Sequence, residues 1–282
     1  MMDNATQDIE HHIARLHSNG RLRVWSLIIS FFGDAVALRG GRVGLPVLQD
    51  AMTLLKIEHG AVRTALSRLA KDGWVVRERE GRLSFYELSP QGRFAFDEAT
   101  RRIYAAGPPP WDGTWTIAIT QANHDETLFA RGFVSLGGPA WIKAGHGASE
   151  QLAETLLIHG SGTDFPPALS QLWGIDDLAT YFANFISSWS GFKAEQLSPA
   201  HAMAARTLLI HDWRRIVLRD PDLPAALLPD GWPGLKALAL VRRIYAGLAA
   251  QSEQWLDEAG LPPARDTGKL MARFITLRSI AN

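Results

Sequence analysis

Residues 58–88 constrain the fold most, because their hydrophobic spacing changes once and a glycine marks the change. Val62, Leu66 and Leu69 fall at positions i, i+4 and i+7, which is one side of a helix. Gly73 follows and favours the left-handed conformation that ends many helices. The residues after it are rich in β-branched and aromatic side chains, so a two-stranded hairpin is predicted.

The polar side of the predicted helix carries residue types that bind DNA. Arginine suits guanine O6 and N7, serine and threonine reach bases or phosphates, and lysine pairs with phosphate. Glu58 is a possible N-cap, although Ser and Asp are preferred there. We predict that DNA is contacted by His59, Arg63, Thr64, Ser67, Arg68 and Lys71.

The hairpin is predicted to turn at Glu80-Gly81, since glycine tolerates positive φ. Arg77, Arg79 and Arg82 cluster near its tip, where the negative potential of a narrow minor groove would attract them. A helix, a stop and an arginine-tipped hairpin in this order predict a winged helix-turn-helix. The alternative is a surface helix with solvated charges beside an ordinary hairpin, and the order of elements favours DNA binding.

The composition excludes several classes of protein. The chain has 282 residues, 46% of them hydrophobic and 21% charged, which is typical of globular domains. Its net charge is zero, so it is no globally basic nucleic-acid coat, but residues 59–82 hold six Lys and Arg against three acids. It has no cysteine, which excludes disulfides, thiolate metal sites and a cysteine nucleophile.

No segment predicts export or membrane insertion. Residues 1–20 are polar, lack the apolar core of a signal peptide and are expected to form a mobile or loosely helical arm. The longest apolar stretch, Val24–Leu38, contains Ser26, Ser30 and Asp34 and is too short to span a bilayer. We expect a soluble, cytoplasmic protein.

The remaining pattern predicts an α+β protein of three domains after the arm. Residues 21–106 form the winged helix domain, with helices at 21–38 and 46–55. A further helix runs to Tyr104, with Ser89 as its N-cap and Pro90 in its first turn. Gly107 and the prolines after it form a stiff linker. The central domain (107–195) and a C-terminal helical domain (196–282) follow.

The central domain has the element order of a small ferredoxin-like fold. Strands are predicted at 115–120, 140–144 and 155–159, and helices at 125–136, 148–154 and 166–173. In the C-terminal domain, helices are predicted at 198–218, 235–248 and 271–280.

Six segments resemble the PaaX family of bacterial transcriptional repressors, which control phenylacetic acid catabolism. Together they run from about residue 21 to residue 250. They are SLIISFFGDAV (26–36), RGG (39–41), VRTALSRLAKDGW (62–74), GRLSFYELSPQGR (81–93), RRIYAAGPPPWDGTW (101–115) and HDWRRIVLRDPDLPAALLPDGWPG (211–234).

The resemblance implies a winged helix that binds a palindromic operator as a homodimer. It implies a central domain like the ferredoxin-like fold of the Cas2 proteins. It also implies release from DNA by an aromatic acyl-CoA such as phenylacetyl-CoA. Cas2 nucleases hold a metal with an acidic residue at the end of the first strand. Here that strand ends at Ile119-Thr120-Gln121, so no metal-dependent cleavage is expected.

An acyl-CoA effector carries phosphates and an adenine, which call for Arg or Lys beside a planar side chain. The segment 211–215 is the first candidate, and the alternative is a helix tied by Arg–Asp pairs to Asp220 or Asp222. The predicted ligand-binding residues are Trp141, Lys143, His211, Trp213, Arg214, Arg215, Arg242 and Arg243.

No catalytic, cofactor or metal motif stands out: the chain has no P-loop, no dinucleotide fingerprint and no HExxH. We therefore predict a repressor without catalytic residues, resident metal or cofactor. Two alternatives stay open. One is a metal-dependent nuclease or an acyl-CoA-processing enzyme that uses the central domain. The other is a scaffold in which the winged helix contacts protein.

Overall fold

The computed structural model describes residues 4–18, 20, 22–121, 125–145, 154–162, 172–194, 197–264 and 273. Within these residues the chain forms helices and two antiparallel sheets, so the predicted α+β class is confirmed. No helix in the described part is long and apolar enough to cross a membrane.

Nine α-helices and seven strands lie within the described residues. In chain order they are α1 (Asn4–Ser18), α2 (Val24–Phe31), β1 (Arg42–Gly44), α3 (Leu45–Thr53), α4 (His59–Lys71), β2 (Val75–Glu80), β3 (Leu83–Leu88), α5 (Pro90–Ile103), β4 (Thr114–Thr120), α6 (Asp125–Ala130), β5 (Val134–Gly137), β6 (Ala140–Ala144), β7 (Thr155–Ser161), α7 (Ile175–Trp189), α8 (Pro199–Val217) and α9 (Pro233–Glu258).

The chain divides into two compact units. The larger unit comprises residues 1–106, 185–218 and 238–282, and the smaller unit comprises residues 107–184 and 219–237. The predicted linker at Gly107 coincides with the first crossing between them. The C-terminal helices, predicted as a separate domain, are grouped with the N-terminal segment instead.

The N-terminal segment is a regular helix where a mobile or loosely helical arm was predicted. Ile9 and Ile13, four residues apart, are 0% and 1% exposed. The ring of His12 stacks on Trp189 with 3.8 Å between centroids. The i, i+4 spacing of Ile9 and Ile13 was the sequence signal for a buried helix face. It was missed because the surrounding segment is polar and its composition favours exposure to solvent.

The first helix predicted for the winged helix domain, over residues 21–38, changes its winding along its length. α2 passes into a π-helical turn at Phe32–Val36 and a 3₁₀ turn at Ala37–Arg39, and Gly40 ends the run with φ +93°. Residues 26–36 of this helical segment are buried, including the polar side chains of Ser26, Ser30 and Asp34.

The end of α4 is a Schellman motif, as Gly73 predicted. Gly73 has φ +75°, and the Trp74 N–H donates to the Leu69 carbonyl at 2.9 Å. The Ser89 hydroxyl donates to the Gly73 carbonyl at 2.5 Å and accepts from the Gly92 N–H at 2.8 Å. Ser89 thus caps α5, as predicted, and ties its start to the end of α4.

A three-stranded sheet of order β1-β3-β2 completes this part of the larger unit. Strand β3 pairs with both neighbours, and Glu80 faces Leu83 across the turn. The two turn residues are Gly81 and Arg82, one position later than predicted, with φ +59° at Gly81. Positive φ at the first turn position suits the right-handed twist of a hairpin.

The smaller unit contains a four-stranded antiparallel sheet of order β5-β6-β4-β7. The predicted helix 125–136 is wrong in its second half, because α6 ends at Ala130 and β5 begins at Val134. Gly132, with φ +81°, ends the helix, and β-branched Val134 then enters the sheet. Ala118, Leu128 and Phe133 form the core on one face of this sheet.

The strand order puts the first and third strands of the unit side by side, as the ferredoxin-like fold requires. The predicted helix 148–154 and most of helix 166–173 lie outside the described residues, so that fold assignment stays a prediction. Ser198 caps α8 by accepting the His201 N–H at 3.3 Å. α9 has 26 residues and extends beyond the predicted 235–248. Of the predicted helix 271–280, only Arg273 is described.

Replacing Ser89 by alanine should lower the free energy of unfolding by about 2 kcal/mol. The change removes an N-cap, worth about 1 kcal/mol, and leaves the Gly73 carbonyl without its donor, which costs about 1 kcal/mol more. Urea unfolding measures the loss. Ser67→Ala on the exposed face of α4 is the matched control and should change stability by less than about 0.5 kcal/mol. Equal stability of the two variants would contradict a stabilising role for the hydrogen bonds of Ser89.

Candidate functional site

Helix α4 separates apolar from polar side chains as predicted. Val62, Ala65, Leu66 and Leu69 are buried against the rest of the larger unit. The predicted DNA-contacting residues on the same helix all lie on its exposed side: His59, Arg63, Thr64, Ser67, Arg68 and Lys71.

The cations on this side are not neutralised by neighbouring acids. Within the described residues, Arg63, Arg68 and Lys71 form no ion pair. The Thr64 hydroxyl donates to the Gly60 carbonyl of its own helix at 3.0 Å. Three unpaired positive charges on one exposed helix face are therefore available to an anion such as DNA phosphate.

Strand alternation sorts the charges of the hairpin onto two faces. Arg77 and Arg79 stand opposite Tyr86 and Ser84 on β3, whereas the side chains of Glu78 and Glu80 point to the other face. Basic and acidic residues that alternate along the sequence are thus separated in space. This division follows from the period of two and could have been predicted from the sequence.

Arg42 on β1 compensates the acidic face of the hairpin. Its guanidinium pairs with Glu80 at 2.5 Å and Glu78 at 3.1 Å, and it lies 3.8 Å from the centroid of the Phe85 ring. Sequence reasoning did not select Arg42, because only the pairing of β1 with β3 brings it to this face. The pairing reduces the repulsion that Glu78 and Glu80 would exert on an approaching polyanion.

The three predicted hairpin arginines are held to different degrees. The Arg77 guanidinium donates to the Ser84 hydroxyl at 2.8 Å and 3.2 Å. Arg79 donates to the Gly81 carbonyl at 3.2 Å. Arg82 is exposed at the turn and forms no ion pair among the described residues. Arg77 is therefore the best oriented of the three, and Arg82 the freest to move.

The predicted ligand-binding residues on α8 differ in their exposure. His211 is buried, and its Nδ1 lies 3.1 Å from the Ser30 hydroxyl. Burial, with Arg214 and Arg215 close by, lowers the pKa of His211 to about 3. Trp213 is also buried and donates its Nε1 proton to the Ile103 carbonyl at 2.8 Å. Both side chains are therefore buried and hydrogen-bonded within the larger unit.

The two arginines that follow have different surroundings. Arg214 donates to the Ser26 carbonyl at 3.0 Å and to the Ser26 hydroxyl at 2.5 Å. Burial and the nearby charge of Arg215 lower the pKa of Arg214 to about 10. Arg215 itself is exposed. The alternative of a tie to Asp220 or Asp222 does not describe Arg214, because its Nη2 donates to Ser26 instead.

The other ligand candidates are spread over both units. Arg242 donates to the Ala106 carbonyl at 2.7 Å, and exposed Arg243 approaches the Ser190 carbonyl at 3.4 Å. Trp141 and Lys143 lie on β6 of the smaller unit. Trp141 packs against that unit's core, and burial lowers the pKa of Lys143. Their roles in ligand binding stay predictions.

The carboxylate of Asp34, which sequence reasoning did not select, is buried in the larger unit and accepts hydrogen bonds from four side chains. Arg206 donates to it at 2.5 Å and Arg273 at 2.7 Å. The hydroxyls of Tyr104 and Tyr245 donate to it at 2.5 Å and 2.8 Å. The signal was a single acid within the apolar stretch Val24–Leu38.

The arginines keep this carboxylate charged. Burial alone would raise the pKa of Asp34, but the guanidiniums of Arg206 and Arg273 outweigh it and hold the pKa below its ordinary value. Burial raises the pKa of Tyr245 to about 12, and raises that of Tyr104 above its ordinary range. Both phenols therefore remain protonated donors. Among the described residues, no three His, Asp or Glu side chains are placed to hold a metal.

Comparison with known proteins matches this chain to one family. Residues 23–92 match the model of the PaaX-like protein family, and residues 173–258 match the PaaX-like protein C-terminal domain. The transcriptional repressor PaaX of Escherichia coli (strain K12) is 33% identical over 267 residues, covering 83% of both chains. A solved structure of an uncharacterised protein from Mycobacterium tuberculosis covers 76% of this chain and 90% of its own, with 20% identity and a TM-score of 0.49.

Two buried histidines should make stability fall as the pH is lowered. Burial lowers the pKa of His12 and of His211 from 6.5 to about 3. Below pH 6.5 the unfolded chain binds protons that the folded chain excludes, so stability is full above that pH and is lost toward pH 3. At pH 5 each histidine should cost about 2 kcal/mol.

Urea unfolding at pH 7.5 and pH 5 measures this dependence. His12→Phe keeps a ring against Trp189 and removes one titrating group, so it should lose about 2 kcal/mol less than the parent chain between the two pH values. An identical loss in both chains would show that His12 does not carry the effect.

Proposed function

The chain belongs to the PaaX family of transcriptional repressors, and from that premise we propose that α4 and the hairpin β2–β3 form a winged helix-turn-helix that binds operator DNA. Helix α4 enters the major groove, where Arg63, Thr64, Ser67 and Arg68 contact base edges. Lys71 and the hairpin arginines hold phosphates or reach the minor groove.

The unpaired cations of α4 are the observation that carries this proposal. A solvated surface helix commonly pairs its charges along i, i+3 or i, i+4, as Arg101 does with Glu98 on α5. Arg63, Arg68 and Lys71 have no such partner among the described residues. These cations are therefore available to an external anion, and the hairpin beside them has its own acids compensated by Arg42.

The protein acts as a homodimer on a palindromic operator of genes for phenylacetate catabolism. Two copies related by a two-fold axis would present two recognition helices to half-sites about 34–36 Å apart, or a multiple of one helical turn. This expectation is supported by the repressor family and by the exposure of α4. The ferredoxin-like central unit and the C-terminal helices would set the distance between the two recognition helices.

The effector is an aromatic acyl-CoA such as phenylacetyl-CoA, which releases the repressor from DNA. The thioester needs only a higher affinity for the arrangement that cannot bind DNA than for the arrangement that can. A hundredfold preference corresponds to about 2.7 kcal/mol of coupling between the two sites. No catalytic role is required of the protein in this scheme.

Fluorescence anisotropy on DNA from the region upstream of the chain's own coding sequence tests the repressor and the effector together. Salt-sensitive binding should be released by phenylacetyl-CoA, and not by coenzyme A alone. DNA binding that phenylacetyl-CoA does not change would support the DNA-binding role and reject this effector. Turnover of nucleic acid with Mg²⁺ or Mn²⁺, or of the thioester, would favour the enzyme alternative. Absence of DNA binding would favour the scaffold.

Arg68→Ala should weaken operator binding by about 1–3 kcal/mol and relax discrimination at one base pair. Arg101→Ala removes another exposed arginine, on α5, and is the matched control, with expected DNA affinity like that of the parent. Binding of phenylacetyl-CoA should be the same in all three chains. An Arg68→Ala chain that loses thioester and DNA affinity equally would argue against separate sites.

Lys71→Ala should act on the salt dependence instead of on sequence preference. Loss of one phosphate contact lowers the slope of log K against log salt by about 0.9 and weakens binding to all sequences alike. Anisotropy titrations at several salt concentrations measure the slope. An unchanged slope would place Lys71 outside the interface.

A further inference from the structure

The larger unit contains a cavity of about 320 Å³ between α2, α5 and α8. Its walls therefore join the first helix of the DNA module, the helix that leaves the hairpin and a C-terminal helix. Six of the side chains that line it carry the argument below: Trp25, Trp74, Phe96, Ala99, Tyr104 and Arg214.

The walls are mainly aromatic and apolar. The rings of Trp25, Trp74, Phe96 and Tyr104 all line the cavity. Phe96 is seated directly over Gly33: a Cβ on that glycine would lie 1.4 Å from the ring's Cζ. A side chain at position 33 would therefore displace the ring. Aromatic walls of this kind favour a flat, apolar guest.

One polar donor beside the cavity is unused. The Arg214 Nη2 donates to Ser26, but its buried Nε has no hydrogen-bond partner among the described residues. Asp34 also lines the cavity, yet its carboxylate already accepts from two arginines and two tyrosines. A buried donor without an acceptor is energetically unfavourable, and an oxygen atom of a guest would supply the missing hydrogen bond.

We infer that this cavity binds an aromatic ring with a short side chain whose carbonyl or carboxylate oxygen accepts from Arg214. The inference rests on the proposed function in one respect: it identifies the cavity as the site for the aryl-acyl end of the effector. The same chemistry is present in a free arylacetate and in its thioester.

The size of the cavity agrees with such a guest. A cavity of about 150 Å³ lined by apolar side chains accepts benzene. About 320 Å³ accommodates a benzene ring and a short acyl chain, and is too small for a whole coenzyme A thioester. The nucleotide end of a thioester would therefore lie outside this cavity.

The position of the cavity gives a guest direct access to the DNA module. Trp74 closes the end of α4 by donating to the Leu69 carbonyl, and it lines the cavity as well. Helix α5 is tied to the same end through Ser89. A guest that favours one placement of Trp74 and α5 would shift the placement of α4 and the hairpin.

Isothermal titration calorimetry on the full chain, with phenylacetyl-CoA, phenylacetate and coenzyme A as separate probes, tests the site. Ala99→Leu fills the cavity from α5 and should weaken binding of phenylacetyl-CoA at least tenfold. Ala250→Leu adds the same side chain to an exposed position of α9 and should bind like the parent. DNA affinity without effector should be the same in all three chains.

Hydrogen–deuterium exchange on the parent chain gives a result that does not depend on a variant folding. Phenylacetyl-CoA should slow exchange in residues 90–103 and 24–31. Protection elsewhere only, an Ala99→Leu chain that binds as tightly as the parent, or coenzyme A binding as tightly as the thioester would each overturn the inference. If phenylacetate alone binds and Ala99→Leu abolishes it, the site takes the free acid.

The proposed function can fail independently of this site. A thioester that binds the parent, fails to bind Ala99→Leu and leaves DNA affinity unchanged would support the cavity and reject the effector's role in release. DNA release by a thioester that Ala99→Leu still binds would support the repressor and reject the cavity.

Discussion

The buried carboxylate of Asp34 is the interaction on which the larger unit depends. It accepts from Arg206 of α8, Arg273 of the C-terminal segment, and Tyr104 and Tyr245 beside or within α5 and α9. Burying one anion with two guanidiniums carries a large desolvation cost, which only complete hydrogen bonding offsets. Removal of Arg206 or Arg273 would leave the buried carboxylate with one guanidinium, and removal of either tyrosine would leave one of its hydrogen bonds unmade, so each partner contributes to holding these segments together.

The π-helical turn at Phe32–Val36 follows from this demand. Arg273 donates to the Gly33 carbonyl at 2.8 Å and to the Asp34 carbonyl at 2.6 Å, and Arg206 also reaches the Asp34 carbonyl at 3.2 Å. These carbonyls accept hydrogen bonds from guanidinium groups, and the helix is π-helical at the same residues. π-Helical turns of this kind are frequent at functional sites, and this one lies at the wall of the aromatic cavity.

Local patterns gave correct predictions where one residue type has one conformational role. Gly73 ends α4, Ser89 caps α5, and the spacing of Val62, Leu66 and Leu69 correctly predicted the buried side of α4. Predictions failed where a neighbour decides the outcome. The predicted helix over 125–136 extended beyond Gly132, where the chain in fact turns into a strand. The burial of the i, i+4 pair in α1 was not predicted, because it depends on helices that are distant in the sequence.

The sequence alone determined the α+β class, the split between apolar and cationic sides of α4, and membership of a repressor family. These depend on local periodicity and on motifs, which need no knowledge of distant partners. The packing of the folded chain was needed to show that Arg42 compensates the acids of the hairpin, that Asp34 joins the N-terminal segment to the C-terminal helices, and that three helices line an aromatic cavity. Each of these requires residues 38 to 239 positions apart to meet, and no local pattern records such a meeting.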